Sequence, residues 1–271
     1  MKLQNLKVSA IVPVFNEGKR VGKVIDTLLS SNLINEIVSI NDGSSDNSLE
    51  VLKKFGNKIK LINFKQNQGK GRAVAAGIKK ATGQYLFFCD SDLINLTTDH
   101  INKIFKPILK GKTKVVFAVP TKHGNGKYER HEVYLAGERV YPRSSVAPHI
   151  SKLSRTKGAG GSEIILNTLF SKKEIKIVPL KGLVKPAKTN KWPRSMALKQ
   201  YLLSTVGVLQ ESGRIEINSM KDLKQLENLI QVDTFDGLIA MINQIKNQKI
   251  RTVLKKYFLK YITKYIRKIL D

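Results

Sequence analysis

Hydrophobic positions along the first 120 residues follow two alternating rhythms. Val8-Ser9-Ala10-Ile11-Val12-Pro13-Val14-Phe15 is a short β-branched run and predicts a buried strand. From Gly18 to Ser30, Val21, Val24, Ile25, Leu28 and Leu29 recur at helical spacing. The pattern then repeats. Strands are predicted at 36–40, 59–64, 84–89 and 114–120, and helices up to about Phe55, over 69–82 and over 97–109. The polar cluster Asn41-Asp42-Gly43-Ser44-Ser45-Asp46 marks a turn. Strands alternating with helices predict βαβ units: an α/β fold with a mostly parallel sheet flanked by helices. Beyond Pro120 the rhythm weakens. Residues 121–160 are rich in Gly, His, Lys and Arg and predict loops over a site. A helix over 162–170 and a strand over 175–180 follow. After Trp192 the chain reads as mostly helical, with a break at Glu211-Ser212-Gly213. The predicted organisation is therefore a domain over 1–193, with halves 1–120 and 121–193, and a helical C-terminal extension over 194–271.

Composition narrows the class. The 271 residues are 41% apolar and 25% charged, which excludes extended disorder. A single cysteine, Cys89, excludes a disulfide scaffold and fits a reducing compartment. No run reaches the roughly 18–20 apolar residues of a membrane span, and residues 1–7 lack the apolar core of a signal peptide. The expectation is a cytoplasmic protein.

Charge adds a direction. The net charge is +27, distributed as +10 over 1–120, +12 over 121–200, −3 over 201–245 and +8 over 246–271. Such fields attract anionic partners: nucleic acid, lipid headgroups or phosphorylated substrates. Only 10 of 48 basic residues are Arg, so a general lysine bias explains the overall excess equally well. No RNA-binding aromatic motif or helix-turn-helix pattern supports nucleic acid. The tail is more pointed. Val253-Leu254, Tyr257-Phe258, Tyr261-Ile262, Tyr265-Ile266 and Ile269-Leu270 are separated by lysines and arginines. This predicts a basic amphipathic helix over 250–270, a candidate peripheral anchor on an anionic membrane surface. Pairs recurring every four residues wind around an α-helix, so the stripe could equally wrap the domain or a second subunit.

Three polar loops follow predicted strands, and ligands in open parallel sheets bind beyond the carboxyl ends of the strands. Phe15-Asn16-Glu17, Asn41-Asp42-Gly43-Ser44 and Asp90-Ser91-Asp92 are thus expected on one rim. Two carboxylates one residue apart offer hard oxygen ligands to Mg²⁺ or Mn²⁺, although Asp92 would also serve as a turn cap. Asn67-Gln68-Gly69-Lys70-Gly71-Arg72-Ala73 places glycines and a lysine at a helix start, a place suited to anions. It is neither a Walker loop nor a complete dinucleotide fingerprint. His123, His131 and His149 fit no zinc spacing, and Trp192 suits a core or an interface.

Taken in order, Val12-Pro13-Val14-Phe15-Asn16-Glu17, the Asn-Asp-Gly-Ser-Ser-Asp turn, Asn67-x-Gly-Lys-Gly-x-Ala and Asp90-Ser91-Asp92-Leu93 resemble the family 2 glycosyltransferases of GT-A (Rossmann-like) fold. The resemblance covers about residues 8–190. Leu93-Ile94-Asn95-Leu96 with His100, then Ala136-Gly137-Glu138-Arg139, then 158–166 are most similar to polyprenyl-phosphate sugar transferases and glucosyl-3-phosphoglycerate synthase-like enzymes. It implies a metal-dependent hexosyltransferase that uses a UDP- or GDP-sugar, an anionic acceptor and Mn²⁺ or Mg²⁺. Pro13, Phe15, Glu17 and Asp42 would hold the nucleotide. Lys70, Asp90 and Ser91 would contact the nucleotide or its ribose. Asp92, with Asp90, would bind the metal, and Glu163 would stand near the acceptor.

Two departures change what the resemblance implies. Asn41 stands where the family has an aspartate facing the base; an amide both donates and accepts, so the base preference is open. Lys185 stands where the synthase-like branch has a metal-binding histidine. Protonated, it cannot ligate a cation, but it can neutralise a diphosphate. A hydroxyl acceptor needs a general base, for which Glu163 and Glu138 are candidates. Glu138-Arg139 reads equally as a surface ion pair. The rival expectations are a soluble phosphoglycerate-glycosylating synthase, an inactive membrane-peripheral scaffold and a basic nucleic-acid binder.

Overall fold

A computed structural model of the chain describes residues 6–121, 133, 136–156, 161–171, 173–186 and 235–259. The chain separates into two compact units, Met1–Lys157 with Gly161–Pro186, and Gly158–Gly160 with Ala187–Asp271.

The first unit is a seven-stranded sheet of order β3-β2-β1-β4-β6-β5-β7. Its strands are β1 Val8–Val14, β2 Glu36–Asp42, β3 Lys60–Phe64, β4 Tyr85–Phe88, β5 Val115–Thr121, β6 Arg139–Pro142 and β7 Ile175–Lys181. Helices α1 Val21–Leu29, α2 Ser48–Lys53, α3 Lys70–Lys80 and α4 Thr98–Leu109 connect the early strands. Short helices α5 Arg143–Val146 and α6 Ile150–Ser154, then α7 Gly161–Thr168, lie between β6 and β7. β1 pairs in parallel with β2 and β4, β2 with β3, and β5 with β7.

The side-chain period of two sorts β1 between two cores. Val8, Ala10, Val12 and Val14 meet α1 and α4 through Val21, Ile25, Leu28, Ile101 and Phe105. Ile11 points the other way and meets α3, α6 and α7 through Ala73, Ile78, Leu153 and Ile165. Both faces are buried, which is why these strands are continuous apolar runs. α3 lies close on the sheet because Gly77 faces Ile11 and Ile40; a Cβ there would stand 2.6 Å from the Ile11 methyl. His100 caps α4 with Thr97, and its Nε2 hydrogen-bonds the Lys181 carbonyl at 2.9 Å.

The structure corrects the reading of 121–160 as loops. Arg139–Pro142 forms β6, antiparallel to both β4 and β5, so it completes the sheet between them. Arg139 and Tyr141 share one face with Phe88 and Phe117, and Val140 enters the opposite core. His123, His131, Trp192, the break at 211–213 and most of the predicted tail helix lie outside the described residues.

In the second unit, α8 Phe235–Gln244 and α9 Gln248–Val253 are joined at Asn247, whose side chain accepts from the Ile250 amide. Leu254–Leu259 continues as a π-helical turn. Ile250 and Leu254 are buried on this stretch. No helix of the described residues is long and apolar enough to cross a membrane.

Candidate active site

The rim at the carboxyl ends of β1 and β2 is stitched by polar side chains. Asn16 adopts a left-handed conformation (φ 54°). Its Oδ1 accepts from the Ser45 amide at 2.8 Å, and its amide donates to Ser44 Oγ at 3.0 Å. The Glu17 amide donates to Ser48 Oγ at 2.8 Å, and Asp46 accepts from the Gly18 amide. Loops 15–18 and 43–48 therefore form one platform, with Phe15 exposed on it and Glu17 buried.

Asp42 builds the next loop. Its carboxylate accepts from the amides of Gln68 (2.7 Å) and Gly69 (3.0 Å) and from Asn67 Nδ2 (3.0 Å). Burial outweighs these bonds and raises its pKa above its ordinary value. Asp42 thus fixes the shape of the 67–69 loop. Asn41 is buried and donates from Nδ2 to Asn63 Oδ1 at 2.7 Å. Asn63 on β3 went unnoticed in the sequence, because only the β2–β3 register sets it opposite Asn41.

Behind this platform four elements converge on Asp90, the second residue after β4. Lys70, the first residue of α3, donates from Nζ to Asp90 Oδ1 at 2.8 Å and to Glu163 Oε1 at 2.6 Å. Lys185, four residues after β7, donates to Asp90 Oδ2. Both oxygens of Asp90 are engaged by ammonium groups. Burial disfavours its charge, but Lys185 and Lys70 more than compensate and hold the carboxyl well below its usual range. Burial likewise disfavours the Lys70 charge; Asp90 and Glu163 outweigh it and raise the ammonium pKa. Glu163 also accepts from Ser162 Oγ at 2.8 Å. Despite burial, Lys70 and Arg139 keep Glu163 below the ordinary range, so it is a charged but weak base.

Glu138 is different. It is 0% exposed, and neither carboxyl oxygen has a hydrogen-bond partner among the described residues. Burial, with Asp90 and Asp92 nearby and Lys185 opposing, pushes its pKa up to about 7. Arg139 is also buried, so the surface ion pair expected for Glu138-Arg139 is not what forms. Arg139 donates to the carbonyls of Ala136 (2.6 Å) and Glu163 (3.1 Å) and to Asn167, and lies over the Phe117 ring at 4.3 Å. It anchors the start of α7 and so positions Glu163. Gly137 packs so closely on Asp90 that a Cβ would stand 2.0 Å from Oδ2. Sequence reasoning missed Arg139, Gly137 and Ser162 as parts of the site. The signal available was the glycine directly before the charged pair.

Pro13, Lys70, Asp90, Gly137, Arg139 and Glu163 line one small cavity. Ser91 and Asp92 are buried beside it in sequence. Among the described residues no group of three or more His, Cys, Asp or Glu side chains could hold a metal ion. Mg²⁺-type ions commonly bind one or two carboxylates plus substrate phosphates. Buried carboxyls at Asp92 and Glu138, the latter without a hydrogen-bond partner, fit that mode.

Residues 9–172 match the family described as Glycosyl transferase family 2. The chain belongs to this family. It is 40% identical over 93 residues to an uncharacterized glycosyltransferase of Rickettsia bellii, covering 33% of this chain and 13% of that protein. It is 28% identical over 142 residues to a dolichyl-phosphate beta-glucosyltransferase of Trichomonas vaginalis, covering 47% and 43%. The chain thus spans less than half the length of either relative. Its fold is similar to that of glucosyl-3-phosphoglycerate synthase from Mycobacterium tuberculosis, solved with Mn²⁺, UDP-glucose and phosphoglyceric acid. The TM-score is 0.59 at 19% identity, covering 80% of this chain and 83% of that one. That likeness establishes a GT-A architecture for this family 2 glycosyltransferase: a mostly parallel sheet flanked by helices.

Proposed function

We propose that the chain transfers a sugar from a nucleotide-diphosphate sugar, UDP- or GDP-linked, to an acceptor that carries a phosphate. One observation supports this reading above others: Lys70, Asp90, Glu163 and Lys185, from four separate elements, join in one ion-paired cluster beyond the carboxyl ends of β3, β4 and β7. The stitched platform of Pro13, Phe15, Glu17, Asn41 and Asp42 offers the donor nucleoside a rigid seat, and Asp90 and Ser91 face its ribose. Lys185, the more exposed of the two lysines, turns to the donor diphosphate. A preorganised cation near the bond that breaks stabilises the leaving nucleoside diphosphate. Asp92, with the donor's phosphate oxygens, would hold Mn²⁺ or Mg²⁺, which supplies further charge compensation when bound.

Glu163 is ion-paired and thus poorly suited to deprotonate a hydroxyl, whereas Glu138 has the basicity but no exposure. An acceptor that is already anionic needs neither. The net +12 of residues 121–200 agrees with this, as do the acceptors named for the relative and the neighbour, dolichyl phosphate and phosphoglyceric acid. We place the protein at the cytoplasmic side, with the 250–270 segment as its contact with an anionic membrane.

The test is donor binding and hydrolysis across UDP-, GDP- and dTDP-sugars, with Mn²⁺, Mg²⁺ or EDTA. The expected result is one preferred donor, lost in Asp92→Ala while the protein stays folded. Silence of the folded wild type across the panel would refute the transferase reading and favour a scaffold.

A further inference from the structure

The geometry points to Lys185 as a tethered cation that occupies the acidic cluster of the resting enzyme and excludes a free divalent ion until the donor arrives. This rests on the proposed function for its purpose, but its physical basis is local.

Lys185 has a fixed root and a partly exposed side chain. Gly182, at φ 85°, turns the chain out of β7. Leu183 is buried, and Val184 then forms a two-way bridge with Ile94, the amide-to-carbonyl distances being 2.9 and 3.0 Å. That bridge ties the backbone before Lys185 to the loop that carries Asp92. The Lys185 ammonium reaches Asp90 Oδ2, and its charge also interacts with Glu138 and Asp92. Its side chain is 37% exposed, so it can leave toward solvent or toward an incoming phosphate. Lys70 cannot do so as easily, because it is clamped between Asp90 and Glu163.

The charge balance agrees. Asp90, Asp92, Glu138 and Glu163 face Lys70, Lys185 and Arg139, which leaves the cluster between neutral and one negative charge, according to whether Glu138 holds its proton. Without Lys185 the deficit approaches that of a divalent cation. Glu138 strengthens the point: it is fully buried beside this cluster and neither oxygen has a hydrogen-bond partner among the described residues. A free Mn²⁺ must therefore displace an ammonium that is covalently tethered and always present. A nucleoside diphosphate removes that competition by drawing Lys185 onto its phosphates. Metal and nucleotide would then enter together.

The experiment is a Mn²⁺ titration of the full chain, read by the electron paramagnetic resonance signal of the free ion, with no nucleotide present. Lys185→Met is expected to bind Mn²⁺ at least about tenfold more tightly than wild type. Lys185→Arg, which keeps the charge, is expected to stay near wild type. Unchanged or weaker Mn²⁺ binding by a folded Lys185→Met would overturn the proposal. The wild type gives a second arm that needs no variant: UDP should tighten its Mn²⁺ binding, and tight Mn²⁺ binding without UDP would also overturn the idea. Failure of every nucleotide to bind would sink the proposed function, whereas the nucleotide-free titration would still decide the role of Lys185.

Discussion

Gly137→Ala should damage the site through a single methyl group. The Cβ would lie 2.0 Å from Asp90 Oδ2 and 2.4 Å from its Cγ, whereas real contacts of this kind essentially never fall below 3.0 Å. Asp90 or the 136–138 backbone must therefore move by about 1 Å. The Lys70–Asp90 bond, 2.8 Å in the resting structure, would be stretched beyond hydrogen-bond length by such a shift. Overpacking costs about 1–3 kcal/mol, and a charged hydrogen bond contributes about 1.5–3, so the expected loss is about 3–5 kcal/mol. Residue 137 is not in the left-handed region, so alanine suffers no backbone penalty that would confuse the result. Chemical unfolding of the variant gives the stability, and nucleotide titration gives the site; donor affinity should fall by about tenfold or more. Gly22→Ala is the matched control, because its Cβ would meet only Val51 at 3.4 Å and would gain helix propensity of about 0.5–1 kcal/mol. A Gly137→Ala protein within about 0.5 kcal/mol of wild type, with normal donor binding, would refute the close approach and the clamp built on it.

Glu138 predicts a pH dependence of stability in metal-free buffer. Its pKa rises from 4.5 to about 7 on folding, so between these values the folded chain keeps a proton that the unfolded chain has released. Stability should fall as pH rises through that window, by up to about 3 kcal/mol, and Glu138→Gln should flatten the slope. Asp90 and Glu163, depressed in the folded state, act oppositely and at lower pH, where acid removes their contribution. Gly77→Ala, whose Cβ would meet Ile11 at 2.6 Å and Ile40 at 2.8 Å, should lower the unfolding free energy by about 1–3 kcal/mol. Deleting 246–271 should abolish co-sedimentation with anionic vesicles; undiminished binding by the shortened protein would remove the anchor idea.

The parallel half of the fold was legible because burial on both faces writes each strand as a continuous apolar run, as in 8–15 and 114–120. In such a sheet, position in sequence becomes position in space: the residues just past each strand collect on one rim. Asp90 could be placed on that rim for this reason, whereas Lys70 was marked by its glycine-flanked helix start and Lys185 only by the family resemblance. The 136–142 segment obeys no such rule. β6 is four residues long, opens with Arg139 and closes with Pro142, and runs antiparallel between β4 and β5. Nothing local distinguishes it from a polar loop; its burial comes from Phe88, Phe117 and α7, all distant in sequence. Glu138 illustrates the cost of that non-locality. Read alone, it is a charged residue before an arginine, as expected on a surface. Placed by β6, it is buried near two aspartates and a lysine, and its proton affinity changes accordingly. The candidate chemistry of this chain therefore combines a rim that strand order announces with an antiparallel strand that only the assembled sheet reveals, and it is the second that sets the electrostatic balance at Lys185.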